Sequence, residues 1–238
     1  MAYELYYWPS IQGRGEFVRL ALEAAGAPYR DVARESGGTR AMTKLMGDQS
    51  LVHPPFAPPF LVDGELMIAQ AANILFYLGP KLGLAPAQEA ERLFLHQLQL
   101  TVTDLVAEAH DVHHPVGSGL YYEDQKPEAL RAAKGFREDR IPKYLGYFER
   151  ALAANPTKSG HLIGDALTYI DLSLFQVIEG LCYAFPVAMA RHRAGWPGLL
   201  ALHGRVAGEE RIAAYLASER RIPFNEDGIF RHYPELDG

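Results

Sequence analysis

Between Pro58 and Gly79 the spacing of apolar residues changes from strand-like to helical. Phe60, Leu61 and Val62 form one short apolar run and Leu66, Met67 and Ile68 another, with Asp63-Gly64 between them. Two short runs of strand formers around an Asp-Gly pair predict a hairpin, because glycine supplies the positive φ of a tight turn. The helical face Ile74, Leu75, Phe76, Tyr77 and Leu78 follows, with Gly79-Pro80 as its predicted stop. Pro59 stands at the start of a strand, a place a proline tolerates where no ladder donor is needed. With the helix starting just past Ile68, the N–H groups near Gln70 and Ala71 are free to bind an anion. A strand edge beside a helix N-terminus suits an extended peptide that carries a carboxylate.

Upstream, Glu4–Trp8 reads as an aromatic strand, Pro9–Gly13 as a loop, and Phe17–Ala25 as a helix stopped by Gly26. Tyr29–Ala33 reads as a second strand, and Arg40–Met46 as a short helix within a stretch rich in Gly, Pro and charge. The order is βαβ, a helical link, then ββα, an open sheet with helices on both faces. Gly79–Gln88 reads as a linker. Beyond it every pattern is helical: residues 88–112, then 127–154 with a kink expected at Pro142, then 197–206 and 210–220. Thr168 and Asp171 are placed as a capping box at the head of another helix. The fold class is therefore α/β plus all-α, with an N-terminal domain at 1–82 and an all-helical domain at 88–238.

The 238 residues carry 23 basic and 29 acidic side chains, a net charge of −6. That balance, without a basic tract, argues against nucleic acid or anionic membrane as a partner. No apolar stretch is long enough to span a membrane, and MAYELYYWPS does not read as a signal peptide. Cys182 is the single cysteine, which excludes an internal disulfide and suits a reducing, cytoplasmic setting. Its apolar neighbours Leu181 and Tyr183 suggest a small core residue. His110, His113 and His114 share helical spacing, but no cysteine accompanies them and Pro115 follows, so no metal site is expected.

Proline, then Asp-Gly, then Gln70 opening a helix that ends in Tyr77-Leu78-Gly79 resembles the glutathione-binding half of the cytosolic glutathione transferases. So does Tyr6-Tyr7-Trp8-Pro9 followed by Gly13-Arg14, which resembles their tyrosine-type classes. Ile212–Ser218 and Pro223-Phe224 are similar to their C-terminal helix, and the likeness covers nearly the whole chain. It implies a thioredoxin-like domain followed by a helical bundle, a homodimer, and glutathione as co-substrate. It makes Tyr7 the catalytic tyrosine, with Ser10 as the serine-type alternative. It puts glutathione against Arg14, Pro58, Pro59, Gln70 and Ala71, with Asp104 reaching in from a partner subunit. Trp8 and His114 would line the electrophile pocket, and Phe56 would plug into the partner. The family usually has serine where this chain has Ala71, so one hydroxyl donor is lost. Where the family has a residue with an N–H before its cis-proline, Pro58 can only accept.

The implied activity is attack of the glutathione thiolate on small hydrophobic electrophiles. A glutathione-dependent isomerase or peroxidase and a non-catalytic glutathione-binding protein stand as alternatives. A thiol with a pKa of about 8.5 is only about 3% ionised at pH 7. A hydroxyl donated to the sulfur favours the charged form, and a drop of about 2 units gives roughly 25-fold more thiolate.

Overall fold

A computed structural model describes residues 2–238. The sheet contains β1 (Tyr3–Tyr6), β2 (Tyr29–Asp31), β3 (Phe60–Asp63) and β4 (Leu66–Ala69) in the order β2-β1-β3-β4. β1 runs parallel to β2 and antiparallel to β3, and the β3–β4 hairpin turns at Gly64 with φ 63°. Leu5, Leu61 and Ile68 pack on one face against Val18 and Leu22 of α1 (Gly15–Ala25) and Ile74 and Leu78 of α3 (Ala71–Leu82). Tyr6 and Phe60 face the other way, against Met42 of α2 (Gly38–Met46).

Several boundaries differ from the sequence expectation. β1 ends at Tyr6 rather than Trp8, and β2 ends at Asp31, where Val32–Arg34 tightens into a 3₁₀ turn. Gly79-Pro80 does not stop α3, which runs to Leu82 and ends on Gly83 in the left-handed region. Gly79 has a packing role instead: a Cβ there would lie 2.8 Å from the Tyr169 ring.

The second core is helical. It contains α4 (Glu89–Asp111), α5 (Lys126–Gly135), α6 (Ile141–Ala154), α7 (Tyr169–Ala184), α8 (Pro186–His192), α9 (Pro197–Gly208), α10 (Glu210–Leu216) and α11 (Pro234–Asp237). The break expected at Pro142 appears as a π-turn over Phe136–Arg140, which contains Glu138, the residue four before Pro142 whose carbonyl that proline cannot bond. α7 is buried along nearly its whole length. The Asp171 carboxylate at its head accepts from Thr168 N–H (2.8 Å), Thr168 Oγ1 (2.8 Å) and Leu162 N–H (2.9 Å). Cys182 is exposed, not in the core: it lies on the solvent side of α7 in a depression shared with Pro186, Met189 and Arg193. Among the described residues no single helix is long and apolar enough to cross a membrane.

The tail after Pro223 is packed. Ile229, Phe230 and Leu236 are buried. Asp237 accepts from Val187 N–H (2.7 Å) and Ala188 N–H (3.1 Å) at the head of α8. The Tyr233 ring stacks on Tyr122 at 3.9 Å, and Tyr122 donates to Glu235.

Candidate active site

Strand register assembles the site. Tyr6 pairs with Phe60 and Phe60 with Ala69, so those residues form one row across the sheet. The next residues beyond that row are Tyr7, Pro59 and Gln70. The three features that stand apart in the sequence therefore emerge together at one end of the sheet. The Pro58–Pro59 bond is cis, with Pro59 buried and Pro58 half-buried.

Tyr7 is only 4% exposed. Gly13 and Gly15 clamp it: a Cβ on Gly13 would lie 2.1 Å from the Tyr7 hydroxyl, and one on Gly15 would lie 2.5 Å from its ring. Only glycine fits at either position. The backbone N–H of Arg14 donates to the Tyr7 oxygen at 2.8 Å. That bond uses a lone pair of the tyrosine and leaves its proton free for another acceptor. Burial holds the Tyr7 pKa above the ordinary phenol value, while the Arg14 N–H and the charges of Arg14 and Arg19 pull the other way. Tyr7 thus keeps its proton at neutral pH and is a donor rather than a base.

Beneath Tyr7 is a buried ionic cluster that the sequence reading missed. Arg19, fully buried, stands 5.8 Å from the Tyr7 ring centroid. It donates to Asp31 (2.7 Å), to the Gln12 carbonyl (3.2 Å) and to Glu16 (3.3 Å). Glu16 also accepts from Tyr215 (2.7 Å) and Arg221, and Arg221 donates to Gln176 (3.0 Å). Gln176 donates to Gln12 (2.7 Å), and Gln12 to the Ile222 carbonyl (2.5 Å). The β1–α1 loop is thereby tied to α7, α10 and the tail. The available signal was two charges, Glu16 and Arg19, lying within the apolar pattern of α1.

Gln70 has φ 70° and ψ 121°, an unusual conformation for a residue with a Cβ. Its carbonyl accepts the Ile74 N–H at 2.9 Å, and no side chain caps the helix it opens. The first N–H groups of α3 therefore face a cavity of about 250 Å³ lined by Arg14, Gln70 and Ala71 on one side and by His96, Gln99 and Thr103 of α4 on the other. Free helix-terminal N–H groups and an arginine favour a carboxylate there.

The other expected residues lie farther out. Trp8 and Ser10 are exposed, and the Ser10 carbonyl accepts from Asn225 of the tail at 2.8 Å. His114 is half-buried and engages Gln125 through Nδ1 at 3.3 Å. His110, one turn earlier, is the histidine that feels the charge of Arg14; burial is the main cause that lowers its pKa, with Arg14 and Arg231 adding to it. Between the β1–α1 loop and the tail, only about 10 Å³ is open beside Gln12, Gly13, Asn225 and Phe230. Asp104 is exposed on α4, and Phe56 is 93% exposed. Among the described residues no group of three or more His, Cys, Asp or Glu is arranged to hold a metal ion.

Comparison with known proteins agrees with this architecture. Residues 110–219 match the family model of the glutathione S-transferase C-terminal domain. Glutathione S-transferase P 1 of Xenopus laevis is 26% identical over 228 residues, covering 92% of this chain and 93% of the relative. Glutathione S-transferase Mu 3 of Mus musculus is also 26% identical, covering 94% of each. The solved pi-class glutathione S-transferase of Onchocerca volvulus superposes with a TM-score of 0.70 at 22% identity, covering 91% of this chain and 92% of that one.

Proposed function

We propose that this chain, which is similar to the glutathione S-transferases along nearly its whole length, is one of them: it ionises the thiol of glutathione with Tyr7 and transfers the thiolate to small hydrophobic electrophiles. The observation that carries the reading is the Tyr7 hydroxyl. Its oxygen is held by the Arg14 N–H and its proton is uncommitted, in a buried position clamped by two glycines. A donor fixed in advance beside a developing thiolate stabilises the charge without reorganising, and low polarity strengthens that bond.

The peptide lies along the edge at Pro58 and Pro59, with its γ-glutamyl carboxylate at Gln70, the Ala71 N–H and Arg14. Trp8 and His114 border the electrophile. The tight packing of the tail against Gly13 supports compact electrophiles over bulky ones. The working unit is a cytoplasmic homodimer. Its support is the exposed apolar set Phe56, Phe76, Leu93, Phe94 and Leu100, which a monomer leaves in water. Asp104, on α4, would then serve the partner's site, where a carboxylate meets the peptide's α-amino group.

Conjugation of glutathione to a generic aryl halide, run beside a hydroperoxide assay, tests the activity. Aryl conjugation that falls at least tenfold in Tyr7→Phe supports it. Turnover of hydroperoxide alone assigns the scaffold to peroxidase chemistry, and retention on immobilised glutathione without turnover assigns it to binding.

A further inference from the structure

The wall of the cavity opposite the α3 N-terminus carries polar groups with nothing to bind. Gln99 lines the cavity at 1% exposure, and its Oε1 has no hydrogen-bond partner. His96, one turn before it, lines the same wall with a buried, unpartnered Nδ1. Thr103 faces the same side, its hydroxyl donating back to the Gln99 backbone carbonyl at 3.1 Å. Their spacing puts all three on one face of α4. Leu100, Val102 and Val106 of the same helix line the cavity beside them, and Leu95 and Leu98 lie in the apolar core, so the polar groups stand in an otherwise apolar wall.

A buried amide oxygen without a donor destabilises the protein that holds it. A leucine of similar size would pack there without that cost. The cavity that Gln99 lines has donors on its far side, the α3 N–H groups and Arg14, and no aspartate or glutamate among its lining residues. Burial lowers the His96 pKa, so its imidazole is neutral and can accept. Donors facing acceptors across one cavity match a zwitterion: a carboxylate at α3 and an ammonium at α4.

We propose that Gln99, assisted by His96, binds the α-ammonium of the γ-glutamyl group from within the same subunit, in addition to the carboxylate of the partner's Asp104, and so helps select a free amino acid head. The inference rests on the glutathione-site reading above, but it concerns binding and is independent of turnover. It also supplies a polar anchor at the end of the peptide where Ala71 has no hydroxyl.

Titration calorimetry with glutathione and with glutaryl-cysteinylglycine, which lacks only the α-amino group, reads the contact directly. The native protein should prefer glutathione by about tenfold or more, the range for a hydrogen bond to a charged group. Gln99→Leu should cut that preference by about fivefold or more, leaving only the share that the partner's Asp104 supplies, with the ligand-free thermal midpoint unchanged or raised. Gln99→Glu should keep or increase the preference, and it decides the matter by itself if Gln99→Leu does not fold. A preference unchanged in Gln99→Leu, equal weakening of both peptides, or a preference lost in Gln99→Glu overturns the proposal. Binding of neither peptide to the native protein removes the glutathione site and this contact together. Binding with the predicted selectivity but no conjugation supports the contact and removes only the transferase chemistry.

Discussion

Single residues at this site are held in conformations that stability alone does not favour. Gln70 has φ 70° and ψ 121°, and such a backbone state costs on the order of 1–3 kcal/mol in a residue with a Cβ. Gln70→Gly should therefore leave the thermal midpoint unchanged or raised while glutathione affinity falls severalfold; a midpoint lowered together with unchanged affinity would count against strain held for binding. Tyr7, Arg14, Pro59 and Gln70 were legible in the sequence because each belongs to a short pattern of fixed order: a tyrosine before Trp-Pro, an arginine after glycine, a proline before a hairpin, a glutamine opening a helix. Glu16, Arg19 and Gln99 were not. Helical periodicity shows which face of α1 or α4 is buried, but a polar residue on that face reveals nothing of its partners, which for Glu16 and Arg19 are Asp31, Tyr215 and Arg221 outside the helix.

Elements were legible where the stop or start is chemical, and less so where packing decides. The head of α7 is the clearest case, since Thr168 and Asp171 could be paired by spacing alone. The structure adds that Asp171 also accepts the Leu162 N–H from the preceding loop. Thr168→Ala should cost about 1 kcal/mol. Asp171→Ala strips the acceptor from buried donors and should cost roughly 3 kcal/mol; urea unfolding of both variants gives the ranking. Equal losses would mean that the loop bond contributes nothing. Gly79-Pro80 misled because a glycine before a proline commonly ends a helix, whereas this glycine is set by the close approach of Tyr169. The π-turn at Phe136–Arg140 is marked in the sequence by Pro142, which cannot bond the Glu138 carbonyl four residues before it.

At the scale of the molecule, the two-domain order could be read from the linker at Gly79–Gln88, beyond which every pattern is helical, while the course of the tail could not, because no regular repeat marks it. Its attachment is partly titratable. His113 is 2% exposed, and its Nε2 meets the Ile229 carbonyl at 2.8 Å. Burial above all lowers its pKa to about 3, and Arg231, His110 and His114 push the same way. A histidine lowered in the folded state takes up its proton more readily when unfolded, so stability is full above pH about 6.5 and falls as pH drops toward 3. By pH 5 the loss from this residue is about 2 kcal/mol, at 1.36 kcal/mol per unit. The urea midpoint should drop between pH 7 and pH 5, and His113→Leu should flatten that dependence; an unchanged slope in the variant would place the acid sensitivity elsewhere. Phe56, 93% exposed, carries the assembly claim: Phe56→Ala should weaken dimerisation and glutathione affinity together, whereas Asp104→Ala should lower affinity in an intact dimer. Native mass measurement beside calorimetry separates the two, and a fully active monomer would end the homodimer reading. The proposed chemistry, as distinct from stability and assembly, depends on Tyr7 acting as a proton donor to the sulfur. The most direct measurement is an ultraviolet difference titration of the thiolate of bound glutathione in the native protein and in Tyr7→Phe. The native complex should titrate well below the free thiol value of about 8.5, and the variant should bind glutathione nearly as well but titrate about 2 units higher than the native complex. A thiolate titration curve left in place by Tyr7→Phe would contradict the account.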